Sequence, residues 1–231
     1  VIAAGLILLA VGALDLARSR LTGVRLGIVL VLLGGALLPL AAWAGAAAWW
    51  FAAVAAAAGW AATTSTREPT RWGLWPAAVL GLVTAVAVAL IGVREGQGPL
   101  ERIWPIESPL GVVSLDLAVA LVGSLVFLVE SGNVIVRASL RGGVVAAAAT
   151  NALRGGRLIG PLERILVFAL TLTGAFTLLA AVLAAKGIVR FPEISRDDEG
   201  GDRAEYFLVG SLVSWVVALA AAFLVWWGSA A

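Results

Sequence analysis

Residues 26–62 form an unbroken run of 37 residues without a charged side chain. As one helix rising about 1.5 Å per residue, such a run would reach roughly 55 Å, nearly twice the roughly 30 Å of a bilayer's hydrocarbon core. A water-soluble fold has no place for it, and a single membrane crossing cannot use it up. Pro39 and Gly45 lie near its middle, and both residue types interrupt or turn a helix. The run therefore predicts two membrane helices, Leu26–Ala42 and Ala46–Ala62, joined by a tight turn about Trp43.

The rest of the chain repeats the pattern. Of its 231 residues 61% are hydrophobic and 13% charged, with a mean hydropathy of +1.03. An ordinary soluble domain carries about 45–50% apolar and about 25% charged residues. Further apolar stretches of crossing length fall at 76–93, 110–129, 165–185 and 206–227, and a shortened one at 1–14 ends where Asp15, Arg18, Arg20 and Arg25 begin. No Lys- or Arg-bearing segment precedes that first stretch, which favours a span over a signal peptide. The expected fold is an all-α polytopic transmembrane helix bundle of about seven spans, forming one integral-membrane domain over 1–231.

Arginine placement orients it. The connections after spans one, three and five hold ten Lys and Arg residues, and the connections after spans two, four and six hold six. Basic connections stay in the cytoplasm. This predicts an outer N-terminus, a cytoplasmic C-terminus, a cytoplasmic basic connection at 130–164 and an acidic outer hairpin at 186–205. Tryptophans cluster at the expected span ends (Trp43, Trp49, Trp50; Trp60, Trp72, Trp75; Trp226, Trp227), where indoles favour the headgroup boundary.

The chain has no Cys and no His. That removes disulfides, thiolate zinc sites, the commonest metal ligand and the commonest general base. No cofactor and no metal site is expected, and no nucleic-acid partner; the expected partners are membrane lipids and either further copies of the chain or another membrane protein.

Two groups of residues could carry chemistry. Arg141, Arg154, Gly155, Gly156, Arg157 and Arg164 surround the expected start of span six, with Pro161 in its first turn. Unpaired N–H groups, glycines and arginines at a helix start suit an anion such as a lipid phosphate; a plain topological anchor fits the same residues. The second group is Asp116, expected about 9 Å into span five, with Lys186, Arg190 and Glu205 near the outer ends of spans six and seven. Ionisable side chains at membrane depth turn inward and pair, so Asp116 is expected to meet Lys186 or Arg190. Thr173 and Thr177, and the small-residue pair Gly210 and Ser214, suit helix packing.

Gly156-Arg157-Leu158-Ile159-Gly160, Leu162-Glu163-Arg164, Ala185-Lys186, Arg190-Phe191 and Ala204-Glu205-Tyr206-Phe207, with Gly210 and Ser214, form an ordered polar set. Over about residues 156–214 this set resembles the C-terminal part of a family of uncharacterised bacterial integral-membrane proteins. The N-terminal helix of that family, bearing His, Asp and Gln, has no counterpart in a chain without histidine. The resemblance implies a multi-pass protein of the bacterial inner membrane in which Arg157, Glu163, Arg164, Lys186, Arg190, Glu205 and Tyr206 act as one unit.

Three functions remain open on these grounds. A non-enzymatic subunit, scaffold or effector of a membrane assembly requires least. A small transporter or channel would use Asp116, Lys186 and Arg190 as a charge relay. An enzyme acting on a lipid-linked phosphate would need a metal or histidine, and no expected span carries paired acids.

Overall fold

The computed structural model describes residues 1–66, 72–90, 98–100, 106–108, 111–140, 156–194 and 202–230. Eight helices are described: α1 (Ile2–Arg20), α2 (Gly23–Trp43), α3 (Ala47–Thr63), α4 (Trp75–Leu90), α5 (Leu115–Ser139), α6 (Gly156–Leu172), α7 (Phe176–Ile194) and α8 (Asp202–Ala230). A small antiparallel ladder, β1 (Ile106–Ser108) and β2 (Gly111–Val113), precedes α5. Among the described residues four helices are long and apolar enough to cross a membrane: α1, α2, α5 and the Phe207–Ser229 part of α8. Large apolar side chains face outward, with Val24 80% and Val31 75% exposed on α2. This is a membrane protein, because water would not tolerate such a surface.

The long uncharged run folds as two helices, α2 and α3, with the break at Ala44–Ala46. Gly45 takes a left-handed conformation (φ 66°) and closes the turn, and the Trp50 indole N–H on α3 donates to Gly34 O on α2 at 2.9 Å. Pro39 stays inside α2, near its end.

The core is the crossing of α1 and α5. A Cβ added at Gly5 would lie 2.8 Å from Ala120 Cα, and one added at Gly12 would lie 2.6 Å from Phe127 N. A Cβ added at Gly123 would meet Gly5 O at 2.3 Å. The two backbones thus touch, as small residues permit between helices in lipid. Residues 5 and 12 meet 120 and 127 in the same order, so α1 and α5 run parallel. Gly210 of α8 packs near Val136 and Leu140, whereas Gly228 lies against Val1, so α8 runs antiparallel to both.

Three expectations are corrected. First, 165–185 is not one span. Thr173–Ala175 is a turn in which Gly174 has φ 70°, and α6 and α7 fold back on each other as a hairpin; the left-handed glycine reverses the chain. Among the described residues the helices number eight, and Gly228 lies against Val1. Second, α1 does not stop at residue 14 and α5 does not stop at residue 129: α1 runs to Arg20 and α5 to Ser139, carrying Asp15 and Glu130 inside the protein at 0% and 5% exposure. Their charges are met by partners and do not end a span. Third, α6 starts at Gly156, so Pro161 is interior to it rather than in its first turn.

Candidate functional site

Asp15 is the most deeply buried acid among the described residues. It occupies α1 one turn before the end of the helix. Its Oδ2 accepts from Trp60 Nε1 of α3 at 2.7 Å and from Ser131 Oγ of α5 at 2.7 Å. Its Oδ1 accepts from Arg18 Nη1 at 3.3 Å, and Arg18 Nη2 donates to Thr64 O at 2.6 Å, beyond the end of α3. One carboxylate therefore ties three helices together. Satisfying its lone pairs is what makes its burial tolerable, since an unpaired charge in an apolar interior is far more costly than a polar bond is favourable.

Arg164 of α6 is the matching cation, 1% exposed. Its Nε donates to Leu128 O at 2.8 Å, its Nη2 to Asn133 Oδ1 at 2.6 Å, and its Nη1 to Ser214 Oγ of α8 at 3.4 Å. Gly132 permits this approach: a Cβ there would stand 2.5 Å from Arg164 Nε. Asn133 Nδ2 also reaches Glu130 Oε2 at 3.5 Å.

Glu163, the neighbour of Arg164, faces the other way. Its Oε1 accepts from Lys186 Nζ of α7 at 2.6 Å and from Trp215 Nε1 of α8 at 2.7 Å. The Lys186 ammonium also lies 5.5 Å from the ring centroids of Phe207 and Trp215, within cation–π range. The hairpin creates this pair: residues 163 and 186 stand at nearly equal distances from Gly174, so folding back at the glycine brings them level.

These three clusters lie at one level. Ser131 and Asn133 of α5 carry the first two, and adjacent residues of α6 carry the second and third. The result is a polar belt through α1, α3, α5, α6, α7 and α8, about two turns inside the bundle end at which α1, α3 and α5 finish. Towards the opposite end, α1 and α5 are closed by their glycine contacts. Ser124 Oγ, buried there, has no hydrogen-bond partner among the described residues.

The expected sites fare differently. Lys186 is paired with Glu163, not Asp116. Asp116 lies in the first turn of α5, just after Ser114, whose side chain accepts from Leu117 N at 3.2 Å. That places it about 18 Å along α5 from the Leu128 level of the belt, so the expected Asp116–Lys186 meeting does not occur. An acid in a first helical turn instead complements the helix dipole. Arg164 is enclosed by protein acceptors and closed to an external phosphate, because Gly132 lets it turn inward. Gly156 and Arg157 open α6, although the Arg157 side chain lies outside the described residues. So do Arg141, Arg154 and Gly155 altogether, and the side chains of Arg190, Glu205 and Tyr206. Asp15, Trp60, Glu130 and Ser131 were missed because a charge in an apolar run reads as its end; the indole at Trp60, one turn from the end of α3, was the available signal.

No family model, curated protein or solved structure matches the chain. Among the described residues no group of His, Cys, Asp and Glu is placed to hold a metal ion.

Proposed function

We propose that the chain is a non-enzymatic component of a bacterial cytoplasmic-membrane assembly, a subunit or scaffold whose buried ionisable groups lock its helices. The observation that carries this reading is the belt itself: its acids and bases are met by one another and by side chains of six helices, and it occupies one half of the bundle only. A transport path would require polar groups continuing to the far end, where the backbones of α1 and α5 touch.

Sidedness is part of the proposal. If all eight helices cross, the connections α1–α2, α3–α4, α5–α6 and α7–α8 fall on one side. Twelve arginines lie in or beside them (Arg18, Arg20, Arg25, Arg67, Arg71, Arg137, Arg141, Arg154, Arg157, Arg190, Arg196, Arg203), against Arg94 and Arg102 on the other side. This bias exceeds the ten-to-six split of the seven-span reading, and it supports a cytoplasmic position for the belt half. The acidic 186–205 connection then becomes cytoplasmic.

The rival reading, a proton relay, draws on the same buried acids, because ionisable groups at membrane depth mark ion pathways in many transporters. Proteoliposomes loaded with a pH-sensitive dye separate the two. The assembly reading expects proton leakage equal to protein-free vesicles for wild type and Asp15→Asn alike. Leakage that wild type shows and Asp15→Asn abolishes would replace it with the relay. Extraction in mild detergent should also give a particle heavier than one 23.6 kDa chain plus its micelle.

A further inference from the structure

An apolar groove of about 580 Å³ runs between α3 and α4, within the ~300–1,000 Å³ range of ligand-sized pockets. Its walls include Ala56 and Gly59 from α3 and Pro76, Val79 and Val83 from α4. Its mouth carries Thr63, Trp72 and Trp75, at the belt end of the bundle. The ring of Trp60 forms part of the floor while its N–H is committed to Asp15.

We infer that this groove holds one acyl chain of an anionic phospholipid whose headgroup lies at the α1–α3 rim. Two observations favour an anionic lipid over other occupants. The mouth is built of indoles, which favour the headgroup boundary, while the interior presents hydrocarbon to hydrocarbon. The end of α3 beside the mouth carries a guanidinium: Arg18, paired on one side with Asp15, is bonded to the carbonyl of Thr64, the residue after Thr63, and Arg20 and Arg25 follow it in the chain as exposed side chains. Basic groups at a membrane surface attract anionic headgroups. The site differs from the α6 start, and it rests on the sidedness above only in that anionic headgroups then meet the cytoplasmic rim. Through Trp60 an occupying chain would touch the side chain that holds Asp15.

Gly59 provides the test. A Cβ there meets nothing within 4 Å, so Gly59→Leu fills the groove without striking backbone and replaces a poor helix former with a good one. Purified protein is exchanged into nanodiscs of phosphatidylglycerol or phosphatidylcholine, released, and weighed intact by native mass spectrometry. Wild type and Gly59→Ala should retain one phosphatidylglycerol per chain, and Gly59→Leu at least fivefold less. Val83→Trp, filling the groove from the α4 wall, should repeat the loss should the leucine variant misfold. Equal retention by the filled variants, equal retention of phosphatidylcholine by wild type, or a change of oligomer mass in place of lipid loss would each overturn the assignment; the last would mean that a second copy of the chain occupies the groove.

Discussion

Asp15 shows how a single charge can organise a protein made almost wholly of apolar residues. It accepts from Trp60, Ser131 and Arg18, and removing it leaves an indole N–H, a hydroxyl and a guanidinium facing a void. Asp15→Ala should therefore cost about 3 kcal/mol, the lower range for breaking a buried pair. Ser131→Ala, which deletes one donor of three, should cost nearer 1 kcal/mol. Unfolding by SDS titration in mixed micelles, followed by tryptophan fluorescence, measures both; equal losses would mean that the carboxylate does not coordinate the cluster. Glu163 and Lys186 make a second test. Each single substitution, Glu163→Gln or Lys186→Gln, should destabilise, and the double variant should lose less than their sum by about 1 kcal/mol. Additive losses would show that the ion pair contributes nothing as a pair. Neither partnership could be read locally. Asp15 and Ser131 are 116 residues apart, and no spacing rule connects them, so the acid looked like a boundary. Glu163 and Lys186 were visible as members of one ordered polar set, but their pairing required knowing that the chain reverses between them.

The helices divide into those that pack through backbone and those that present side chains to lipid. Gly5, Gly12 and Gly123 let α1 and α5 touch, whereas Gly27 and Gly34 on α2 have open space around them. The same residue type thus has opposite consequences in two helices. Gly12→Val should force α1 and α5 apart and cost about 2–3 kcal/mol, as overpacking does, while Gly27→Val should leave the thermal unfolding midpoint unchanged. Equal shifts would remove the α1–α5 contact from its central place. Element boundaries were legible wherever a breaker coincided with an excess of apolar length. The α2–α3 turn at Gly45 was readable because 37 uncharged residues cannot make one crossing. The turn at Gly174 was not, because 165–185 has the length of one crossing and an isolated glycine is tolerated within a helix.

For the molecule entire, the proposed sidedness hangs on that one turn, because a reversal at Gly174 changes the face assigned to every later residue. The chain contains no cysteine, so single cysteines report position without interference. Thr173→Cys should react with a membrane-impermeant maleimide added from outside intact cells, and Ser65→Cys only after the cells are opened. A single span through 165–185 would bury residue 173 at mid-bilayer and leave it unlabelled from either side. The membrane class was plain from composition and the helical class from run length, while the division of 165–185 between two helices depended on one backbone conformation.

The partnership of α1 with α5 sets an order of events during synthesis. Helix α1 leaves the ribosome with an acid whose hydroxyl partner is encoded 116 residues later. At about 5–20 residues per second the gap lasts roughly 6 to 23 seconds. Throughout that interval nascent α1 lacks the Ser131 bond and the glycine-lined face against which it will rest.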